Sequence, residues 1–367
     1  MNAIKPSICL NMIVKNESET ITRCFDSIKD FIDYWVISDT GSTDGTQQVI
    51  TDYFKQHNIP GLLIENEWKN FGYNRTVAIE HALGKADYIL IMDADDFLSK
   101  SDTFRFNKLS ADCYMLKMQR NGFSYYNNRL VRGNLPWKWH GVLHEYLDCP
   151  LPHKSEQLPG DYAIQSTTDG SRSQNPDKYK NDIKVLEAGL QEEPNNARYQ
   201  FYLAQSYRDD GNFEQAIIQY QKRADMGGWS EEVFYSLLEV AHNKRRTGVS
   251  NLEVIDAYLK AHLYRPQRLE ALYEAIRICR QNRYFQLGYQ LGHTIKQTPL
   301  PDDVLFLSKS VYEWELLDEL SICAVYASHP REAANMMETI LRSPSLPEEQ
   351  KPRLKSNLEF ARSRLQN

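Results

Sequence analysis

Tyr88-Ile89-Leu90-Ile91-Met92-Asp93-Ala94-Asp95-Asp96 is the stretch that decides the fold. Five consecutive aromatic and aliphatic residues read as a strand buried on both faces, and such strands belong to sheets covered by helices on either side. The strand runs directly into three carboxylates within four residues. Upstream, the same pattern repeats. Residues 7–14, 34–38 and 61–66 read as further strands, and residues 18–28, 46–54 and 74–83 as helices between them. In the first helix the apolar spacing is Ile21, Cys24, Phe25 and Ile28; in the second, Val49, Ile50 and Phe54 share a face. Strands alternating with helices of about ten residues predict a mostly parallel sheet with right-handed crossovers. Ligands of such sheets bind beyond the carboxyl ends of the strands. The polar loops at Lys15-Asn16-Glu17, at residues 39–45 and at residues 93–96 should therefore face one cleft.

The pattern changes after residue 175. From 176 to 367 the chain is helical almost throughout, and Leu203, Ala204, Tyr207, Gly211, Phe213, Ala216 and Tyr220 fit the offsets of a 34-residue tetratricopeptide repeat. Residues 233–264, 269–295 and 317–341 have similar lengths but match the template poorly. A helix-pair array of one good repeat and several degenerate ones is expected, and stacked units of this kind share a continuous core. Residues 149–160, with three prolines, read as a loop, as do residues 167–176 at the junction. The resulting domains are 1–175 and 176–367.

Composition bounds the function. The 367 residues are 41% hydrophobic and 25% charged, with a formal charge of −6, values of ordinary globular domains. No global basic field attracts nucleic acid or anionic lipid. The six cysteines form no CxxC pair, which predicts reduced, buried thiols. No window approaches a membrane span and residues 1–6 hold no apolar signal core, so a cytoplasmic location is expected.

Asp93, Asp95 and Asp96 repel one another, and burying them without a cation is costly. Oxygen ligands of this kind suit Mg²⁺ or Mn²⁺ completed by substrate phosphates; the plainer reading is an acidic turn capping a helix. Asp39 ends a strand and either accepts a hydrogen bond from a base or ribose, or simply opens a strand-to-helix turn.

Taken together, Met12-Ile13-Val14-Lys15-Asn16-Glu17, then residues 38–46 (SDTGSTDGT), then Met92-Asp93-Ala94-Asp95-Asp96 resemble the family-2 glycosyltransferases of GT-A fold in order and spacing. The branch most similar contains lipopolysaccharide-core glucosyltransferases and tetratricopeptide-fused bacterial enzymes. The resemblance covers roughly residues 7 to 175. It implies a Rossmann-like α/β GT-A domain followed by an all-α repeat domain, and a metal-dependent, inverting hexosyltransferase. The donor implied is a nucleotide-diphosphate sugar, preferably a UDP-hexose, and the acceptor a saccharide, peptide or protein. Lys15 and Glu17 would border the nucleotide, Asp39 the base, Arg75 the nucleotide or diphosphate, Asp93 the ribose, and Asp95, with Asp93, the metal. Glu145, in a His-Glu element, falls where the family places its general base, and His144 either orients it or binds the metal. Trp137 and Trp139 either stack on acceptor sugars or pack in the core. The family's late metal-binding histidine is replaced by Gln165, and its QxxRW element is absent. Arg172, in the segment Asp169-Gly170-Ser171-Arg172-Ser173 next to Lys178, belongs either to a loop that covers the phosphates or to an ordinary interdomain linker.

Two other classes compete. An inactive GT-A scaffold that binds proteins through its repeats would explain Gln165. A zinc hydrolase would use His140, His144 and Glu145, with both histidines on one helix face. The helical array would either bind the acceptor on its concave surface or form a homodimer.

Overall fold

A computed structural model of the chain describes residues 5–120, 122–295 and 298–365. It packs as two compact units, Met1–Gly189 and Leu190–Asn367. The division falls inside a helix, downstream of the expected change at 175/176.

In the first unit the expected alternation is present as β1 (Ile8–Val14), α1 (Ile21–Ile28), β2 (Tyr34–Asp39), α2 (Thr46–Gln56), β3 (Gly61–Glu65), α3 (Phe71–Ala82) and β4 (Tyr88–Ile91). It continues with β5 (Phe97–Lys100), β6 (Cys113–Arg120), β7 (Phe123–Arg132), β8 (Lys138–His140), β9 (Tyr146–Asp148), β10 (Ser155–Gln157), β11 (Tyr162–Gln165), α4 (Ser171–Gln174) and α5 (Lys178–Glu192). Among the described residues the main sheet runs β3-β2-β1-β4-β7-β6-β11-β5, with β10 beside β6. β1, β2, β3 and β4 are mutually parallel where they pair. β7 runs antiparallel to both β4 and β6, which makes the sheet mixed. The strand order reverses at β1, where β2 lies on one side and β4 on the other. Loops diverge there and leave a crevice.

Each face of the sheet carries its own core. On one, Phe25 and Ile28 of α1 and Ile50 and Phe54 of α2 pack on Leu10, Ile37 and Leu90. On the other, Ile79 and Ala82 of α3 meet Cys9, Val36, Ile89 and Trp137. The buried positions of α1 are Ile21, Cys24, Phe25 and Ile28, so the apolar spacing alone chose its inward face. All six cysteines are buried and free.

Three expectations are corrected. Residues 149–160 contain β10, because the prolines flank three residues that pair in parallel with Cys113, Tyr114 and Met115. Residues 167–176 contain the short α4. Residues 137–146 form no helix: β8 and β9 pair as a hairpin, with Gly141 at φ 103° and His144 at φ 51° between them. The zinc reading needed both histidines on one helix face and falls with it.

The second unit contains α6 (Ala197–Asp209), α7 (Phe213–Asp225), α8 (Ser230–Thr247), α9 (Asn251–Tyr264), α10 (Glu270–Gln281), α11 (Phe285–Gly292), α12 (Leu316–Tyr326), α13 (Pro330–Leu341) and α14 (Lys351–Ser363). α6 and α7 are the expected repeat. Leu203, Ala204, Ala216 and Tyr220 are buried, Gly211 turns the chain at φ 81°, and Asn196 and Asn212 cap the two helices through their side chains. Among the described residues no helix is long and apolar enough to cross a membrane.

Candidate active site

Because β1, β2 and β4 are parallel, the loops that follow them emerge on one edge. The first two are stitched together: Asn16 N donates to Ser42 Oγ at 2.9 Å, Glu17 N to Thr46 Oγ1 at 2.8 Å, and Thr43 N to Asn16 Oδ1 at 2.8 Å. Lys15 is exposed beside them.

Asp39 closes β2 and is only 1% exposed. Its Oδ1 accepts from Gly41 N, Ser42 N and Gln47 Nε2 at 2.9, 2.8 and 3.1 Å. Its Oδ2 is buried and without a partner, and so is the neighbouring Asn66 Nδ2 at the end of β3. Asn66 N donates to Asp39 O at 2.9 Å, which fixes the two side chains at adjoining strand ends. Each of these unmatched buried groups costs stability unless a ligand completes it.

Asp93 lies between two guanidiniums. Arg75 Nη2 donates to Oδ1 at 2.5 Å and Arg129 Nη2 to Oδ2 at 3.1 Å. Burial would raise the Asp93 carboxyl, but Arg75 and Arg129 outweigh it and hold it well below the usual carboxylate range. Arg75 also donates through Nε to Glu145 Oε1 at 2.7 Å, so one guanidinium joins the acidic loop to the expected base. The approach depends on glycine. A Cβ on Gly72, at the start of α3, would stand 2.2 Å from the carbonyl oxygen of Gly141, and Phe71 N donates to Val142 O at 3.1 Å. α3 is thereby pressed onto the β8–β9 turn that carries Glu145.

The sequence reading missed Arg129. It sits where consecutive β6 residues Tyr114 and Met115 pair with Leu130 and Asn128, so it is the extra residue of a β-bulge. Bulges re-aim side chains, and this one turns a charged residue of a buried strand toward Asp93. Its Nε and Nη1 are buried and unpaired.

Asp95 and Asp96 are shifted the other way, although Arg129 partly offsets the rise at Asp96. Burial and the Asp93 charge both raise Asp95. Asp96 is 2% exposed, and burial and then Asp93 push its carboxyl up to about 7. Among the described residues no three His, Cys, Asp or Glu side chains gather into a metal cage. Asp95 presents a half-buried carboxylate in a strongly negative setting, and oxygen donors in that setting fit a hard divalent cation that takes its remaining ligands from phosphate and water.

The segment after β11 closes over this loop. Arg23 binds Asp169 at 2.7 Å and the Asp95 carbonyl at 2.7 Å, Thr167 Oγ1 reaches the same carbonyl at 2.8 Å, and Ser171 N donates to Glu17 Oε1 at 3.1 Å. The hydrogen bond from Arg23 pulls Asp169 down to about 2. A Cβ on Gly170 would stand 2.8 Å from Asp95 Oδ2.

Trp137 is buried, with its indole N–H donating to Arg132 O at 2.9 Å, so its ring faces the core and not a sugar. Trp139 is buried under Arg75, whose guanidinium lies 5.2 Å from the ring centroid. Arg172 is engaged by both oxygens of Asp182 at 2.8 and 2.9 Å and lies over Phe71. His144 is exposed next to Glu145. Gln165 Nε2 pairs with Gln119 Oε1 at 3.1 Å.

Comparison with known proteins bears on the same residues. The profile of Glycosyl transferase family 2 matches residues 9–136. Glycosyltransferase SunS of Bacillus subtilis is 29% identical over 229 residues, 58% of this chain and 52% of that protein. A TPR repeat-containing protein of Synechococcus elongatus is 35% identical over 99 residues, 27% of this chain and 23% of that one. Among solved structures, a Pyrobaculum calidifontis mannosyltransferase in complex with GDP-Man and Mn²⁺ aligns at a TM-score of 0.40, with 14% identity over 71% of this chain and 82% of that one. The chain thus spans about half the length of SunS and less of the Synechococcus protein. The matched segment runs from β1 past the bulge and contains Asp39, Arg75, Asp93, Asp95 and Arg129, so these residues all lie in the stretch of the chain that is similar to Glycosyl transferase family 2.

Proposed function

We propose that the α/β unit transfers a hexose from a uridine diphosphate donor, with inversion, using Glu145 as the base that deprotonates the acceptor. The observation that carries the reading is Arg75, which contacts Asp93 on the donor side and Glu145 on the acceptor side. A bidentate guanidinium at that junction suits a diphosphate. A carboxylate on its far flank suits proton removal from an attacking nucleophile.

The base preference rests on Asp39 and Asn66. With Oδ1 already accepting three hydrogen bonds, only Oδ2 is free, and in this reading it and the unmatched Asn66 Nδ2 give the base one acceptor and one donor. Uracil matches with one imide N–H next to a carbonyl. Guanine, with two adjacent donors, would leave one unpaired. Asp95 would hold Mg²⁺ or Mn²⁺, whose charge neutralises the departing diphosphate. Asp93 has both oxygens engaged by arginines and is the less available ligand. Lys15, exposed at the rim, and Glu17 border the nucleotide in this reading.

The test sets Asp95→Ala against Glu145→Gln in donor-binding and transfer assays with UDP-hexoses and Mn²⁺. Asp95→Ala should weaken metal-linked donor binding. Glu145→Gln should keep donor binding and lower kcat by about a hundredfold or more. Full activity in Glu145→Gln removes the base assignment. Failure of every nucleotide sugar to bind the wild-type chain removes the transferase reading and leaves the scaffold.

A further inference from the structure

β7 spans ten residues and β4, its partner on the cleft side, four. β4 pairs with it only through Tyr88, Ile89 and Leu90, opposite Arg132, Val131 and Leu130. From residue 123 to 128, β7 pairs with β6 alone. An extended strand turns alternate N–H and C=O groups to each side. Among the described residues, no backbone hydrogen bond reaches the side of 123–128 that faces away from β6. The side chains agree, since the five residues from Phe123 to Asn127 are all exposed, Phe123 at 78%.

Folded proteins guard such edges with charge or proline. This one reads Phe-Ser-Tyr-Tyr-Asn-Asn and has neither. The cross-strand register puts Phe123 and Tyr125 on the face of Met118, and Tyr126 on the opposite face with Lys117. Aromatic rings therefore flank the edge above and below. The edge also has a fixed address, because the next residue is Arg129, bulged toward Asp93, and Arg75 links Asp93 to Glu145.

We infer that the edge of β7 at residues 123–128 binds the acceptor, and that the acceptor is an extended polypeptide segment added as a further strand. This rests on the transferase reading above. A row of alternating donors and acceptors at strand spacing is complemented by another polypeptide backbone; sugar hydroxyls do not repeat at that interval. The exposed run is about 17 Å long at about 3.4 Å per residue, room for roughly five acceptor residues. Alternate acceptor side chains meet Tyr126 on one face and Tyr125 on the other. The segment ends at Arg129, which brings a hydroxyl or thiol of the bound strand to the Glu145 side of the cleft. Glu145 takes the proton from that O–H or S–H, the heteroatom bonds to the anomeric carbon, and the carbon–oxygen bond to the diphosphate breaks.

The experiment uses the full chain and a phage-displayed library of random decapeptides with one fixed central Ser, Thr or Cys. The best binder is synthesised with a single N-methyl group at each position in turn. Strand addition predicts a period of two: binding falls tenfold or more at alternate positions and is nearly unchanged between them. It also predicts slowed amide exchange at 123–128 when peptide is added, and transfer of labelled hexose from UDP-hexose to that peptide. An N-methyl profile without the period overturns the inference, as does failure to select any peptide. So does labelling of an oligosaccharide panel in preference to the peptides, or amide protection at 123–128 that rises with protein concentration alone, the mark of a second copy on the edge. UDP binding, read separately by thermal shift, keeps the two readings apart. UDP bound without periodic peptide binding removes only the strand-addition site, and periodic peptide binding without UDP removes the transferase reading.

Discussion

Asp93 keeps a hydrogen bond from an arginine on each carboxylate oxygen, and only one of those arginines is legible in the sequence. Arg75 is among the positions that the family resemblance implies. Arg129 is one polar residue in a strand whose next two residues, Leu130 and Val131, are fully buried, and nothing in a linear pattern announces the bulge that aims it. The signal that was present is physical: an arginine placed next to such a buried pair needs an anion. Replacing Arg129 with Gln should weaken UDP binding in the presence of Mn²⁺ by about tenfold, with Arg129→Lys recovering part of the loss because it restores charge without the planar fork; calorimetric titration of both variants checks this. Asn66 was equally silent, since an asparagine after a strand is ordinarily a turn residue. Its backbone bond to Asp39 and its unmatched amide become visible only in the folded chain. Asp39→Asn replaces the free acceptor with a mixed amide and should raise the Kd for UDP by about ten- to a hundredfold. GDP, which gains nothing from the wild-type pair, should change far less. A parallel loss for both nucleotides would refute base reading by this residue.

At the scale of elements, the parallel strands and their helices were legible because burial imposes the periods that a reader looks for. Residues 149–160 were not, because the three prolines that read as loop sit outside the three paired residues of β10. The hairpin of β8 and β9 was also hidden, since it needs a left-handed Gly141 and a left-handed His144, and a non-glycine residue in that region is rarely foreseeable. Its placement against α3 depends on Gly72. Gly72→Ala puts a methyl carbon 2.2 Å from the Gly141 carbonyl oxygen, a backbone atom that cannot rotate away. The helix and the turn must separate, and the bonds of Thr76 with the Trp139 backbone at 3.1 and 3.3 Å go with them. A stability loss of about 1–3 kcal/mol in urea denaturation is expected. So is a drop in kcat/KM larger than the change in UDP affinity, because Glu145 moves more than Asp39. Equal losses in both would mean that the contact is structural only.

Over the whole molecule, the sequence shows two architectures in succession, and each unit carries its own core. The acidic total of −6 makes local cation placement decisive, and Arg23, Arg75 and Arg129 all serve one acidic loop. The helical unit was legible where it follows the repeat template and blurred where it departs from it. One departure gives that unit a pH dependence of its own. His242 in α8 is half-buried, and its Nδ1 lies 2.8 Å from the Tyr258 hydroxyl of α9. Burial holds its pKa below the ordinary value near 6.5, against the opposing pull of Glu239 and Glu274. His262 is shifted the same way, again chiefly by burial. Above the unfolded-state value both histidines are neutral whether the unit is folded or not, and they favour neither state. As the pH falls through 6.5 the unfolded chain takes up protons that the folded one refuses, so stability declines and keeps declining until the depressed native pKa is reached. Amide exchange in α8 and α9 should therefore report weaker protection at pH 5 than at pH 7. A His242→Gln variant, which cannot take up the proton, should show a shallower slope between those pH values. An unchanged slope in the variant would assign the acid sensitivity to His262 and not to the His242–Tyr258 contact; Asp303, held low by its hydrogen bond from Arg265, acts in a lower pH window.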